Sequence, residues 1–474
     1  MKNVITSEQM KQTETAFMEK TGYPSLLLME HAAQAVADAL CDRTAGGAVF
    51  FCGPGNNGGD GYAAARLFAR KGRQAVVWAM CEEDALSGDA RLNAQLCRAL
   101  GVPVTLWQPG MEIPAGCGAV VDALFGTGLA RPLSGAYAQA AEFINACGLP
   151  VLAVDMPSGT KELMVRADTT VTFHKMKLAH ALFPGRENMG RLIVADIGIP
   201  EDGEGFSVLE DGDVSALLPA RGMNAHKGVC GHALVIAGSL GMAGAAALCA
   251  NAAMRAGAGL CTILAAGKTI PILQELAPCA MCLKRGDTLL ADALAGKSAV
   301  AVGPGLGRTQ EAAEILAALC AEKSIPQVWD ADALNWLAEH PEPLGVRAVM
   351  TPHPGEAARL LGCDIREVTA DPIESAVWLS EKFGCTALLK GATTVIARDG
   401  QCALNLSGTP GMATGGSGDT LTGIIAALLA QGLSSFDAAR LGAFLHGRAG
   451  ERAAEKRGVR SMIASDIIDL LDIG

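Results

Sequence analysis

The chain has 474 residues, too many for one ordinary domain and enough for two or three. Half of it is apolar, 57 residues are Gly and only 4% are aromatic, the profile of an Ala/Gly/Val-rich α/β enzyme with many tight strand-to-helix turns. The formal net charge of −11 argues against nucleic acid or an anionic membrane as the main partner, so an anionic ligand must be held by local N–H groups and a few Lys or Arg side chains.

Residues 1–20, MKNVITSEQMKQTETAFMEK, contain no uninterrupted apolar core of the kind a signal peptide needs. The 15 cysteines fall mostly inside apolar segments, which in such a chain implies reduced, buried thiols and a cytoplasmic location. Cys279 and Cys282 have CxxC spacing, but no second pair or His lies nearby to complete a zinc site.

In the first half, strands are predicted near 48–52, 75–80, 118–122, 151–155, 169–173 and 192–195, and helices near 25–42, 61–71, 89–100 and 134–147. Alternation of this kind predicts a parallel sheet with helices on both faces, and a ligand site at the carboxyl ends of strands near a topological switch point. The strand AVFFC runs into GPGNNGGDG (53–61) and then the helix YAAARLFARKG. That is the layout of a phosphate-binding turn, although it is neither GxGxxG nor a Walker A sequence. Asn56, Asn57 and Asp60 add side-chain oxygens that a purely structural turn does not need. VVDALFGTGL (120–129) and VLAVDMPSG (151–159) place Asp122, Asp155 and Ser158 at two further strand ends. Asn57, Asp122 and Ser158 are hard oxygen donors suited to K⁺ or another hard cation and not to zinc, and Asp155 is left as an acid/base candidate. For any one Asp alone, capping of the following turn is an equally ordinary role.

GPGNNGGDG, VVDALFGTGL, VDMPSG and ADTTVTF…K together resemble the NAD(P)H-hydrate epimerase domain, over roughly residues 5–205. The resemblance implies a Rossmann-like fold, bound K⁺, and interconversion of the R and S hydrates of NADH and NADPH. Carried over by motif, the hydrate contacts are Asn56, Asn57, Gly58, Gly59 and Asp60, then Gly126, Thr127, Gly128, Leu129, Ala130, Arg131 and Pro132, and Asp155. The implied K⁺ ligands are Asn57, Asp122 and Ser158. The family usually has a longer loop after VDMPSG than residues 160–166 provide here.

The alternation weakens across residues 197–222, rich in Gly, Pro and acid, and the boundaries follow: 1–207 as the first domain, 208–222 as a linker, 223–474 as the second. Strands are then predicted near 233–237, 260–264, 298–302, 327–329, 347–350, 386–390 and 394–398, with helices near 244–257, 309–322, 371–383, 418–430 and 435–453. The weakly polar run 243–267 contains Asn251 and Arg255 and reads as a buried helix plus strand, not a membrane span.

GMATGGSGDTLTG (411–423) is the most specific signal: a glycine turn feeding an apolar helix aims N–H groups and the positive helix end at one spot, and Asp419 stands beside it. AVGPGLG (301–307), WDADALN (329–335), TPHPGEAARLLG (351–362) and LLKGATTVIA (388–397) place glycines, Asp330 and Asp332, His353 and Glu356, and Lys390 at other strand ends, with Lys390 in a β-hairpin turn. Separately, His353 could be an ordinary residue at a helix start and Lys390 a solvated turn lysine.

With NAHKG (224–228), these motifs resemble the ribokinase-like superfamily and, within it, the ADP-dependent NAD(P)H-hydrate dehydratase domain, from about 215 to the end. The whole chain is thus similar to the bifunctional nicotinamide-nucleotide repair family, with two doubly wound α/β domains. The resemblance implies phosphorylation of the hydrate's C6 hydroxyl by ADP, then loss of phosphate, giving NADH or NADPH and AMP. Asp419 is implied as general base, and the N–H groups of Gly416 to Gly418 as stabilisers of the transferring phosphoryl group. Lys390, Gly391, Ala392, Thr393, Thr394, Gly416 and Gly418 are implied to hold the adenine nucleotide. Ala245, Gly305, Gly307, His353 and Asp419 are implied to contact the hydrate. Mg²⁺ on the ADP phosphates is expected, as is a homo-oligomer. The alternative reading is a ribokinase-type small-molecule kinase with a fused nucleotide-binding domain.

Overall fold

The computed structural model describes residues 2–129, 131–201, 203 and 205–474, so Ala130 of the first-half loop lies outside the described residues. The chain divides into two compact units, Asn3–Gly205 and Phe206–Gly474. The boundary falls at the start of the strand Phe206–Val208, which pairs in parallel with Gln401–Asn405. The stretch 208–222 therefore does not run as a free linker: Val208 and Leu209 are buried, and a short helix, Val214–Leu217, follows in the second unit.

The first unit is a seven-stranded, all-parallel sheet. Its order is Val104–Leu106, Ala75–Ala79, Gly47–Cys52, Cys117–Ala123, Val151–Val154, Thr169–Phe173 and Arg191–Ala195. The direction of winding reverses between Gly47–Cys52 and Cys117–Ala123, so the crevice a parallel sheet offers a ligand opens above those two strands. Successive strand residues face opposite sides. Ala48, Phe50 and Cys52 enter one core with Ala33, Val36 and Phe68, whereas Val49 and Phe51 enter another with Trp78, Ala140 and Ile144. Two buried faces explain why these strands read as unbroken apolar runs.

The helix after AVFFC begins at Asn56 and runs to Arg70, so Asn56 to Gly61, read as a loop from its glycines, is helical. Those glycines are there for packing. A Cβ on Gly58 would lie 1.9 Å from the Gly53 carbonyl oxygen, and one on Gly61 2.4 Å from Ala123 Cβ. The helix Ser7–Thr21, absent from the predicted elements, is started by a capping box between Thr6 and Gln9.

In the second unit, the parallel strands Met281–Lys284, Leu260–Ala265, His232–Ile236, Ala299–Val302, Gln327–Trp329, Ala348–Met350 and Thr386–Leu389 lie side by side in that order. The antiparallel pair Thr394–Arg398 and Gln401–Asn405 extends the sheet. Winding reverses between His232–Ile236 and Ala299–Val302. The run 243–267 is the helix Ala243–Arg255 plus the strand Leu260–Ala265, as predicted. The helix Ser417–Ala430 packs on Ala243–Arg255 so closely that a Cβ on Gly423 would lie 2.1 Å from the Cys249 carbonyl oxygen. No helix among the described residues is long and apolar enough to cross a membrane.

Candidate active sites

In the first unit the loop after Cys117–Ala123 and the start of the Asn56–Arg70 helix meet at the switch point. Asp155 follows the strand Val151–Val154 in a left-handed conformation, φ 61°, which an L-residue adopts only where its surroundings hold it. His180 is one of the groups holding it. The Lys177 backbone N–H donates to His180 Nδ1 at 3.0 Å, so Nε2 carries the proton and donates to the Asp155 carbonyl at 2.7 Å.

The Asp155 carboxyl is asymmetric. Oδ1 accepts from Lys177 Nζ at 2.9 Å and from Thr172 Oγ1 at 2.9 Å, while Oδ2 has only Thr127 Oγ1, at 3.4 Å. Oδ2 faces the loop: a Cβ on Gly126 would lie 3.0 Å from it and 3.1 Å from Asn57 Oδ1, so a side chain there would press on both groups. Burial pushes the Asp155 pKa up, but the Lys177 ammonium, His180 and the Thr172 hydrogen bond overcome it and hold Asp155 below the ordinary carboxylate range. Asp60 goes the other way. Burial, then the negative charges of Asp155 and Glu14, raise it well above its usual value. Glu14, half-buried on the Ser7–Thr21 helix, is also raised, chiefly by burial. Asp155 on one side and Asp60 and Glu14 on the other thus have opposite protonation tendencies, an arrangement that suits acid–base chemistry.

Of the implied hydrate contacts, Gly58 and Gly59 are buried, Asn57, Asp60, Gly126, Thr127 and Leu129 are half-buried, and Asn56, Gly128, Arg131 and Pro132 are exposed. Asp122 is fully buried and accepts from Ser158 N at 2.7 Å, Ser158 Oγ at 2.7 Å and Leu124 N at 3.2 Å. Burial raises its pKa to about 6, with the Ser158 hydrogen bonds pulling the other way. Ser158 Oγ also accepts from Phe125 N at 2.9 Å, next to Gly126. Against Gly126 the Asn57 amide is buried with neither oxygen nor nitrogen hydrogen-bonded. Such a group requires a partner.

In the second unit, Asp419 lies in the first turn of the Ser417–Ala430 helix, preceded by Gly416 at φ 89°. Lys390 Nζ donates to Asp330 Oδ1 at 2.8 Å, and Thr422 Oγ1 donates to Asp330 Oδ2 at 2.9 Å. A Cβ on Gly418 would lie 3.5 Å from Lys390 Nζ, so the ammonium stands against the helix N-terminus. Burial, then the negative charge of Asp330, raise the Asp419 pKa to about 7; Lys390 opposes them and Asp332 adds to them. Lys390 occupies the hairpin turn as expected, with Gly391 and Ala392 exposed and Thr393 and Thr394 buried.

Gly305, at φ 53°, would carry a Cβ 3.2 Å from Ala245 Cβ, and Gly307 N donates to Asp332 Oδ2 at 2.8 Å, so these three predicted residues converge at the switch point. His353 is an N-cap: Nδ1 accepts from Gly355 N at 3.0 Å, and the His353 backbone N–H donates to Glu356 Oε2 at 2.8 Å. Its ring is 52% exposed, and Glu356 Oε2 lies 3.9 Å from Lys390 Nζ.

Lys177, Thr172, Arg285 and His446 are among the partners the sequence reading missed. Lys177 and Thr172 sit in the quoted ADTTVTF…K segment without having been singled out. Arg285 donates to the Leu306 carbonyl at 3.2 Å and the Gly238 carbonyl at 3.0 Å, tying together the two switch-point loops. Buried His446 has Nε2 3.3 Å from Ser417 Oγ; burial pushes its pKa to about 4, so it is neutral.

Fold and site define an α/β protein of two doubly wound units, the second a ribokinase-like one with an acid in the first turn of a glycine-led helix. The pattern of the family described as NAD(P)H-hydrate dehydratase matches residues 233–472, and that of the YjeF-related protein N-terminus matches 25–179. A bifunctional NAD(P)H-hydrate repair enzyme from Moorella thermoacetica is 38% identical over 99% of this chain and 96% of its own length. Two solved structures cover the second unit. A ribokinase-like protein from Enterococcus faecalis has TM-score 0.53 at 28% identity, covering 57% of this chain and 96% of that one. An ADP/ATP-dependent NAD(P)H-hydrate dehydratase from Bacillus subtilis, co-crystallised with ATP/Mg²⁺, has TM-score 0.50 at 32% identity, covering 55% and 95%. The chain belongs to the family of bifunctional NAD(P)H-hydrate repair enzymes.

Proposed function

We propose that Asp419 drives the ADP-dependent dehydration of the S hydrate in the second unit and that Asp155 handles the proton in epimerisation in the first. The observation that carries the reading is Asp419 itself: a half-buried carboxyl, with a pKa raised to about 7, standing in the first turn of a glycine-led helix beside Lys390. A base near the working pH is ionised enough to accept a proton and basic enough to hold it.

In the dehydration, Asp419 takes the C6 hydroxyl proton as that oxygen bonds the β-phosphorus of ADP and the bond to AMP breaks. The N–H groups of Gly416 to Gly418, with Lys390, are proposed to offset charge on the transferring group. Phosphate then leaves C6 as a proton leaves C5, which restores the ring double bond. Ala245, Gly305, Gly307 and His353 are the residues proposed to hold the hydrate, and Lys390 to Thr394 with Gly416 and Gly418 the nucleotide. Among the described residues no group of three His, Cys, Asp or Glu could hold a metal, which suits a Mg²⁺ bound mainly through nucleotide phosphates. The assay is direct. Incubated with a mixture of R and S NADPH hydrates and ADP, the protein should restore the dihydronicotinamide absorbance of the full pool. No ADP-dependent recovery would sink the dehydratase assignment, and recovery of the S fraction alone would sink the epimerase one.

In epimerisation, a bond at C6 must open and reform, and Asp155 Oδ2, the less occupied carboxyl oxygen, is proposed to take and return a proton. K⁺ suits the first unit because the buried Asn57 amide has no partner and lies against Gly126, while Ser158, bonded to the adjoining Phe125 N–H, and its partner Asp122 offer hard oxygen. Bound there, K⁺ would supply positive charge to an oxygen-lined pocket. Replacing K⁺ by choline in the buffer should lower the R-to-S rate about tenfold or more and leave S-hydrate dehydration within twofold. An epimerase rate unaffected by the exchange would remove K⁺ from this site.

A further inference from the structure

Lys177 is 2% exposed and lies on the two-residue strand Met176–Lys177, fixed by parallel pairing of Met176 and Lys177 with Val4 and Ile5. A buried ammonium is retained only where its protons are used. Here all three are: Nζ donates to Asp155 Oδ1 at 2.9 Å, to Thr172 Oγ1 at 2.8 Å and to the Phe173 carbonyl at 2.8 Å. The Thr172 hydroxyl donates a hydrogen bond to the same Asp155 oxygen. The result is a carboxylate with one oxygen bound twice and the other left to the Gly126–Thr127 loop. The other ionisable groups facing it are Glu14 on the Ser7–Thr21 helix, Asp60 on the Asn56–Arg70 helix, and His180, which is held below its ordinary pKa by burial and bonds the backbone instead of the carboxyl.

We propose that Lys177, seconded by Thr172, is the positioning residue of the epimerase site: it clamps Asp155 Oδ1 so that Oδ2 alone is aimed at the hydrate. The proposal rests on the reading of Asp155 as the proton-handling group. Lys177 acts through Asp155 and does not itself meet the substrate, because its three donors are spent. The clamp also explains how a left-handed Asp155 keeps one orientation with a single weak contact on Oδ2.

The experiment follows R-hydrate epimerisation in the full chain without ADP, so that dehydration cannot proceed. Lys177→Met keeps the bulk of the side chain and removes the charge and the donors. Its kcat should fall about a hundredfold with KM changed less than threefold, and Thr172→Val should lose about tenfold in the same pattern. Lys177→Ala should regain at least a tenth of wild-type kcat in propylammonium, which can supply the missing ammonium. A Lys177→Met kcat within twofold of wild type overturns the clamp, as does a folded Lys177→Ala that the amine does not restore. Asp155→Asn separates the two ideas: retained epimerisation sinks the role of Asp155, whereas its loss beside an unaffected Lys177→Met sinks only the clamp.

Discussion

Asp419→Asn is expected to lower the ADP-dependent dehydratase kcat about a thousandfold while leaving the Kd for ADP within about threefold. Asn keeps the shape and cannot accept the hydroxyl proton. Two further readouts follow from the raised pKa, whose causes are burial first, then Asp330, opposed by Lys390. The base works ionised, so wild-type kcat/KM should rise with pH through about 7, and the variant should lack that limb. Stability runs the opposite way. A carboxyl raised from 3.8 to about 7 on folding contributes stability that is present below its unfolded value and lost as pH rises through 7. That span corresponds to about 4 kcal/mol for a fully buried group, and solvent screening of a half-buried one leaves about 1–2 kcal/mol. Asp419→Asn should therefore melt higher than wild type at pH 8 and equally at pH 4. A loss of ADP binding as large as the loss of rate contradicts the base role, and a variant less stable at pH 8 contradicts the buried-charge account.

What could be read from the chain, and what could not, divides along physical lines. The strand-end glycine turns were legible because strand, turn and helix follow one another in GPGNNGGDG and in the segment around AVGPGLG, whereas the strand orders that make each a switch point are set by long-range pairing. Lys390 in its hairpin and Asp419 at its helix start were legible for the same reason: each role is set within about ten residues. Partnerships across the sheet were not. Lys177 reaches Asp155 from 22 positions away through a two-residue strand, and Arg285 reaches Gly238 from 47 away. No local pattern encodes either. The Ser7–Thr21 helix that carries Glu14 had a usable signal, Thr6 three residues before Gln9, but its weak apolar stripe hid it. The helical state of Asn56 to Gly61 was masked by propensity, since Gly costs about 1 kcal/mol per helical position and clusters of it signal loops. Close approach to Gly53 and Ala123 decides the matter instead.

That close approach sets the second large effect. Gly58→Ala should destabilise the first unit by about 2 kcal/mol or more and abolish most epimerase activity. Two terms compete. Helix propensity favours Ala by about 1 kcal/mol. Against it, the new Cβ would sit 1.9 Å from the Gly53 carbonyl oxygen and 2.7 Å from its carbon, and these are backbone atoms that cannot rotate away. Gly53 cannot retreat, because its N–H is bound to the Ala123 carbonyl at 2.9 Å and its own Cβ position is 1.9 Å from the Leu124 carbonyl oxygen. Overpacking of this kind costs about 3 kcal/mol, so the clash wins. The displacement would move Asn57 and Asp60 away from Gly126 and Asp155, so activity should fall further than stability alone predicts. Gly55→Ala is the matched control: nothing lies within 4 Å of its Cβ position and its φ of −98° suits any residue, so it should cost at most about 1 kcal/mol. Both variants should keep S-hydrate dehydration within twofold, read in the same samples as the melting curves. A Gly58→Ala protein that melts and epimerises like wild type would mean that the start of this helix yields to a methyl group, and the packing account of its glycines would fall.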